Sequence, residues 1–220
     1  RCTFLGGNRD EGSTGVRVDS TQSIWGSITD CFFNRMTTGL VTEASTTAVN
    51  PQFNSCGTDI EVRSTARLDI LGWQSEHSSR LARLDRASTL RADGGTVQVD
   101  GKHMAPGNPL VDAVPSGNRQ TIRLAGMLFT YPTSDEYPDG LTESHDRPDI
   151  RFGPEPDTAT TSGFRVSVED CIGLSPEQCT LVEPLAGDSR GTVEWHSRGA
   201  GIHQFRNELR GDDTPGTRRR

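Results

Sequence analysis

Three phrases between Ile28 and Glu76 decide the fold: Ile28-Thr29-Asp30-Cys31-Phe32-Phe33, then Phe53-Asn54-Ser55-Cys56-Gly57-Thr58-Asp59-Ile60, then Leu71-Gly72-Trp73-Gln74-Ser75-Glu76. In and around them, runs of three to five residues in which apolar and polar positions alternate are broken by Gly, Asn, Ser or Asp. Alternation marks half-buried strands, and the small polar residues mark turns. Phe33, Phe53 and Trp73 recur at intervals of 20. Val16, Leu40, Ile60 and Leu81 recur at 24, 20 and 21. A period of this length with several very short strands fits one coil of a parallel β-helix. A propeller blade needs about twice as many residues, and the leucine-rich-repeat framework is absent.

The expected architecture is therefore all-β: a right-handed parallel β-helix, or solenoid, with coils of about 20–24 residues. Phe33, Phe53 and Trp73 should stack inside it, with Val16, Leu40, Ile60 and Leu81 in a second, aliphatic line. Asn34, Asn54 and Gln74 should form a ladder of side-chain amides. Residues 1–100 read as regular coils. Residues 101–210 read as irregular coils with insertions, among them a Pro/Gly-rich excursion from Ala105 to Asn118 and a polar loop from Pro132 to Pro148. Strand material resumes at Thr121–Leu124, Met127–Phe129, Ile150–Phe152, Gly163–Val168 and Thr192–Trp195. The whole of 1–210 reads as one domain, and 211–220, ending in three arginines, as a disordered tail. A jelly roll with an accidental repeat is the competing architecture.

Composition bounds the function. The 220 residues carry 30 acidic and 23 basic side chains, a net charge of -7, which disfavours nucleic acid as a partner. No apolar run is long enough for a transmembrane helix, so membrane insertion is not expected. The chain opens at Arg1 with neither Met nor a signal-like stretch, which reads as a fragment or processed product. Lys102 is the sole lysine. Five cysteines cannot all pair within one chain; Cys171 and Cys179 are close enough to bridge, and Cys2, Cys31 and Cys56 read as small buried hydrophobes.

The three phrases resemble the right-handed parallel β-helix of the pectate-lyase-like superfamily, closely over 1–100 and loosely over 120–200. The resemblance implies an extracellular, cell-surface or virion protein with a polysaccharide lying along one face. It implies either a lyase or glycoside hydrolase, or a non-catalytic module such as a phage tail-spike segment or an adhesin, for which a homotrimer would be the expected assembly. The polygalacturonase residue set is absent, and Arg147-Pro148-Asp149-Ile150-Arg151 is one residue short of the pectate lyase arginine signature.

The densest polar constellation is Trp73 to Arg80. A glycoside hydrolase needs two carboxylates about 5 to 9.5 Å apart, and coils stacked at about 4.8 Å reach that range. Glu61, Glu76 and Asp85 are the candidates, with Asp59 near a strand end in the same stretch. A lyase instead needs a base and a cation, for which His77 and Arg80 are the candidates. A solvated outer face accounts for the same residues without chemistry. No cofactor is expected; Asp135, Glu136, Asp139 and Glu143 offer oxygen ligands for Ca²⁺ in one loop, without EF-hand order. His145, His196 and His203 lack zinc-site spacing. Trp25 and Trp195 could stack on sugar rings, whereas Trp73 follows the core register.

Overall fold

The structure, a computed structural model, describes residues 1–7, 12–19, 25–86, 88–98, 110–113, 120–130, 150–152, 163–172, 179–181, 190–196 and 205–210. These residues contain strands and turns and no helix, so none is long and apolar enough to cross a membrane. The acidic loop with Asp135, Glu136, Asp139 and Glu143, the residues His145 and His203, and the tail 211–220 lie outside the described residues.

The strands divide between two sheets. The seven-stranded sheet holds β2 (Thr14–Val18), β5 (Thr38–Thr42), β8 (Thr58–Val62), β10 (Ala82–Leu84), β12 (Val111–Ala113), β14 (Ile150–Phe152) and β16 (Cys179–Leu181), neighbours in that order. The eleven-stranded sheet starts with β1 (Cys2–Leu5), β3 (Gly26–Thr29), β4 (Cys31–Asn34), β6 (Thr46–Val49) and β7 (Gln52–Asn54). Longer strands follow: β9 (Arg67–Glu76), β11 (Thr89–Gln98), β13 (Gln120–Thr130), β15 (Gly163–Glu169), β17 (Arg190–His196) and β18 (Phe205–Arg210). The chain visits the two sheets in turn, and each visit pairs in parallel with the one before. Among the described strands only the last pair, β17 with β18, is antiparallel. An all-β chain with two parallel sheets is compatible with a β-helix and excludes the jelly roll, whose sheets are antiparallel.

Register is set at the corners. Asp30, Asn50, Gly72, Gly94, Gly126 and Asp170 all have positive φ, between 49° and 72°. They succeed one another at the same level of the eleven-stranded sheet, each one beyond the paired positions Thr29, Val49, Leu71, Asp93, Ala125 and Glu169. Only Gly, Asn and Asp adopt the left-handed conformation at low cost, and the line contains nothing else. Two further corners share the left-handed backbone but place other residues there, Arg35–Ser55–His77 and Ser64–Arg86.

The interior differs from expectation at one coil. Phe4, Phe33 and Phe53 stack with centroids 5.0 and 4.9 Å apart, nearly parallel. Trp73 is fully buried, but it meets Phe53 edge-on at 6.4 Å and 64°. The residue aligned with Phe53 is Ser75, and the line Asn34–Asn54 continues to Glu76, while Gln74 aligns with Gln52. The cause is a wider corner. Thr42 and Thr46 align with Val62 and Leu68, so two extra residues enter around Ser64 and Thr65. The aliphatic line likewise runs Val16–Leu40–Ile60–Ala82, with Leu81 buried one position earlier.

Beyond residue 98 the strands persist while the connections lengthen. Val111–Ala113, inside the Pro/Gly-rich stretch, is a strand of the seven-stranded sheet, and the two segments from Thr121 to Phe129 belong to one strand that bends at Gly126. The expected segments at 150–152, 163–168 and 192–195 are all strands. Cys56 and Cys31 are buried, but Cys2 is exposed because no strand covers β1 on its far side among the described residues. Cys171 is a free thiol.

Candidate functional site

The residues selected from sequence fall into two groups. Glu76 ends β9 on its outward face, exposed, and accepts a hydrogen bond from Asn54 Nδ2 at 3.1 Å. His77 follows at the corner, with φ of 57°. Arg80 lies on the passage into β10, where its carbonyl accepts from the Asp59 amide at 2.9 Å. Glu61 stands on β8, aligned with Val41 and Arg83, and is ion-paired with Arg63. Asp85, just past β10, caps the opposite corner by accepting from the Ser64 amide at 2.7 Å. Arg80 and Asp85 are separated by a strand of five steps, roughly 16 Å at about 3.3 Å per residue. Glu76, His77 and Arg80 are therefore held on one passage between the sheets, and Asp85 at the other end of the seven-stranded sheet.

A second set of polar groups, spread along the sequence and so not visible as a cluster, converges on the outward face of the eleven-stranded sheet. Asp69, Arg91, Arg123 and Ser167 occupy one line across β9, β11, β13 and β15. Leu71, Asp93, Ala125 and Glu169 occupy the next. Arg123 joins three strands: Nη1 donates to Asp93 Oδ1 at 2.6 Å, Nη2 to Glu169 Oε2 at 2.8 Å and Nε to Glu169 Oε1 at 3.1 Å. Ser167 Oγ donates to Glu169 Oε1 at 2.8 Å. The hydrogen bonds it donates to Glu169 and Asp93 hold the Arg123 guanidinium even more firmly protonated than usual. Arg67 neutralises Asp69 through Nε at 2.8 Å. Arg91, exposed between them, makes no ion pair among the described residues. Past the left-handed corner the same face shows Gln74 and Glu76 on β9 beside Thr96 and Gln98 on β11, all four exposed. Leu71 and Leu128 are exposed apolar points on it. Trp25 is also exposed, at the start of β3.

A third feature is buried. Asp59 has no solvent exposure. Its Oδ2 accepts from Trp73 Nε1 at 3.3 Å, and Oδ1 has no hydrogen bond of good geometry. Burial pushes its carboxyl up to about 7, with the hydroxyls of Ser75 and Ser78 and the indole offsetting this in part. Cys56 is pushed up to about 12, first by burial and then by the charge of Asp59. One coil earlier the equivalent pair is Gly39 against Phe53, and there a Cβ on Gly39 would stand 2.6 Å from the ring. Asp59 with Ser75 is thus a size exchange: the wall gains a carboxyl where the opposite wall loses a ring. The register error between Phe53 and Trp73 hides this exchange in the sequence.

The chain matches no family model, no curated protein and no solved structure. Among the described residues no group of three or more His, Cys, Asp or Glu is placed to hold a metal ion.

Proposed function

We propose that the chain is a right-handed parallel β-helix of the pectate-lyase-like kind, and that it binds polysaccharide along the outward face of the eleven-stranded sheet. One observation carries the reading. Polar side chains and a guanidinium (Gln74, Glu76, Arg91, Thr96 and Gln98) stand exposed on β9 and β11, Thr96 and Gln98 in register with Gln74 and Glu76. Successive coils repeat at about 4.8 Å, so such rows form a long, shallow surface suited to an extended chain of hydroxyl-bearing rings. Leu71 and Leu128 supply apolar points against which the C–H faces of sugars can pack. A cell-surface, extracellular or virion location goes with this reading.

Binding without cleavage fits the carboxylates best. Asp93 and Glu169 lie on strands two spacings apart, about 9.6 Å between backbones, and a carboxylate pair could flank a glycosidic bond there, but the Arg123 side chain fills the gap and donates a hydrogen bond to each. Glu61 and Asp85 are also engaged, by Arg63 and by the Ser64 amide. The test is a panel of pectin, alginate, hyaluronan and bacterial capsule polysaccharides, read for retention of the protein, for new reducing ends and for unsaturated uronate absorbance. Retention with neither product signal is expected. Unsaturated product would establish a lyase and direct attention to His77 and Arg80. Reducing ends alone would establish a hydrolase and direct it to Glu61, Glu76 and Asp85. No retention by any member would overturn the reading.

A further inference from the structure

Two cysteines lie in register at the end of the eleven-stranded sheet. Cys2 on β1 aligns with Cys31 on β4, two residues before Phe4 aligns with Phe33. Side chains two apart on a strand share a face, so both thiols project to the side of the two rings. Those rings stack at 5.0 Å and 9°, which shows that side chains on this face of β1 and β4 meet across the coils. Neighbouring strands are about 4.8 Å apart, within the Cα separation of about 4.4–6.8 Å that a disulfide spans. Both residues are free thiols, Cys31 buried and Cys2 open to solvent. Among the described residues no other two cysteines are register partners.

We propose that Cys2 and Cys31 are the site of a cross-coil disulfide that staples β1 to the sheet in an oxidising environment. The accessible Cys2, as thiolate, attacks one sulfur of a small-molecule disulfide and expels one thiol. Cys31 gives its proton to solvent and attacks the Cys2 sulfur of the mixed disulfide, expelling the second thiol. Two protein thiols are oxidised, and one small disulfide is reduced to two thiols. Among the described strands β1 hydrogen-bonds to β4 alone, so the bond would add a covalent tie to the one neighbour that holds this short strand, whose local opening would otherwise need only its own few hydrogen bonds to break.

The test treats the folded chain with glutathione disulfide, alkylates the remaining thiols and maps tryptic peptides without reduction. The expected product joins peptides 2–9 and 18–35, about 2 Da below their sum, and disappears on reduction. The Cys31→Ser variant should instead hold glutathione on Cys2. Glutathione left on Cys2 of the unsubstituted, folded chain would overturn the proposal. So would a bond from Cys2 to Cys56, or to Cys2 of a second molecule.

Discussion

Trp73 Nε1 donates to Asp59 Oδ2 across 3.3 Å, and both side chains are sealed from solvent between the two sheets. The indole is the one hydrogen-bond donor of good geometry on a carboxyl that the interior otherwise penalises when charged.

That carboxyl gives stability a characteristic pH dependence. Its pKa rises from 3.8 to about 7 on folding, so the folded chain holds the proton over a range where the unfolded chain has lost it. Stability from this group is full below about pH 4, falls as the pH rises, and levels off above about pH 7, with on the order of 4 kcal/mol at stake. Asp59→Asn removes the titration. The difference in urea unfolding free energy between the parent and Asp59→Asn should therefore shift in favour of the variant from pH 4.5 to pH 8, and a difference independent of pH would refute the assignment.

Trp73→Phe keeps a ring in the core and removes the donor. A buried acceptor left without its partner costs roughly 1–3 kcal/mol, and more once the carboxyl is ionised. The loss measured by chemical denaturation should be larger at pH 8 than at pH 5.

Gly39 is required by space. A Cβ there would stand 2.6 Å from Cδ1 and Cε1 of Phe53 and 2.9 Å from the Asp59 carbonyl oxygen. Gly39→Ala should cost roughly 1–3 kcal/mol, the usual range for overpacking. A thermal midpoint equal to the parent's would mean that the Phe33–Phe53 stack is looser than described.

Arg123→Ala leaves Asp93 and Glu169 on the same face with no cation between them. The ion pairs are a third to a half exposed, so the loss should be modest, roughly 1 kcal/mol, and should shrink in high salt. Comparing unfolding at low and high ionic strength checks both the size and the sign.

Much of the fold could be read from sequence because its cause is local. Alternation identified the strands, and small polar residues in the quoted phrases, such as Asp30 and Ser55, marked corners whose backbone is left-handed. What failed was the assumption of a constant period. Two residues at the Ser64 corner moved Ser75 and Glu76, in place of Trp73 and Gln74, onto the lines begun by Phe53 and Asn54. Past residue 98 the coil grows: Gln120 aligns with Phe164, 44 residues later, so partners such as Arg123 and Glu169 could not be matched by counting. The candidate residues were chosen for density along the chain, whereas a parallel stack gathers side chains about a coil apart. Asp69, Arg91 and Arg123 stand in one line for that reason while being scattered in sequence.

The central claim is that polysaccharide lies on the outward face of the eleven-stranded sheet. The direct measurement is the affinity of a retained polysaccharide for three proteins: the parent, an Arg91→Ala/Gln98→Ala variant of that face, and an Arg83→Ala variant of the seven-stranded sheet. Removing a guanidinium and an amide from the face should weaken binding about tenfold or more, at about 1.4 kcal/mol per decade, and Arg83→Ala should bind as the parent does. Equal affinity for all three, or a loss confined to Arg83→Ala, would contradict the account.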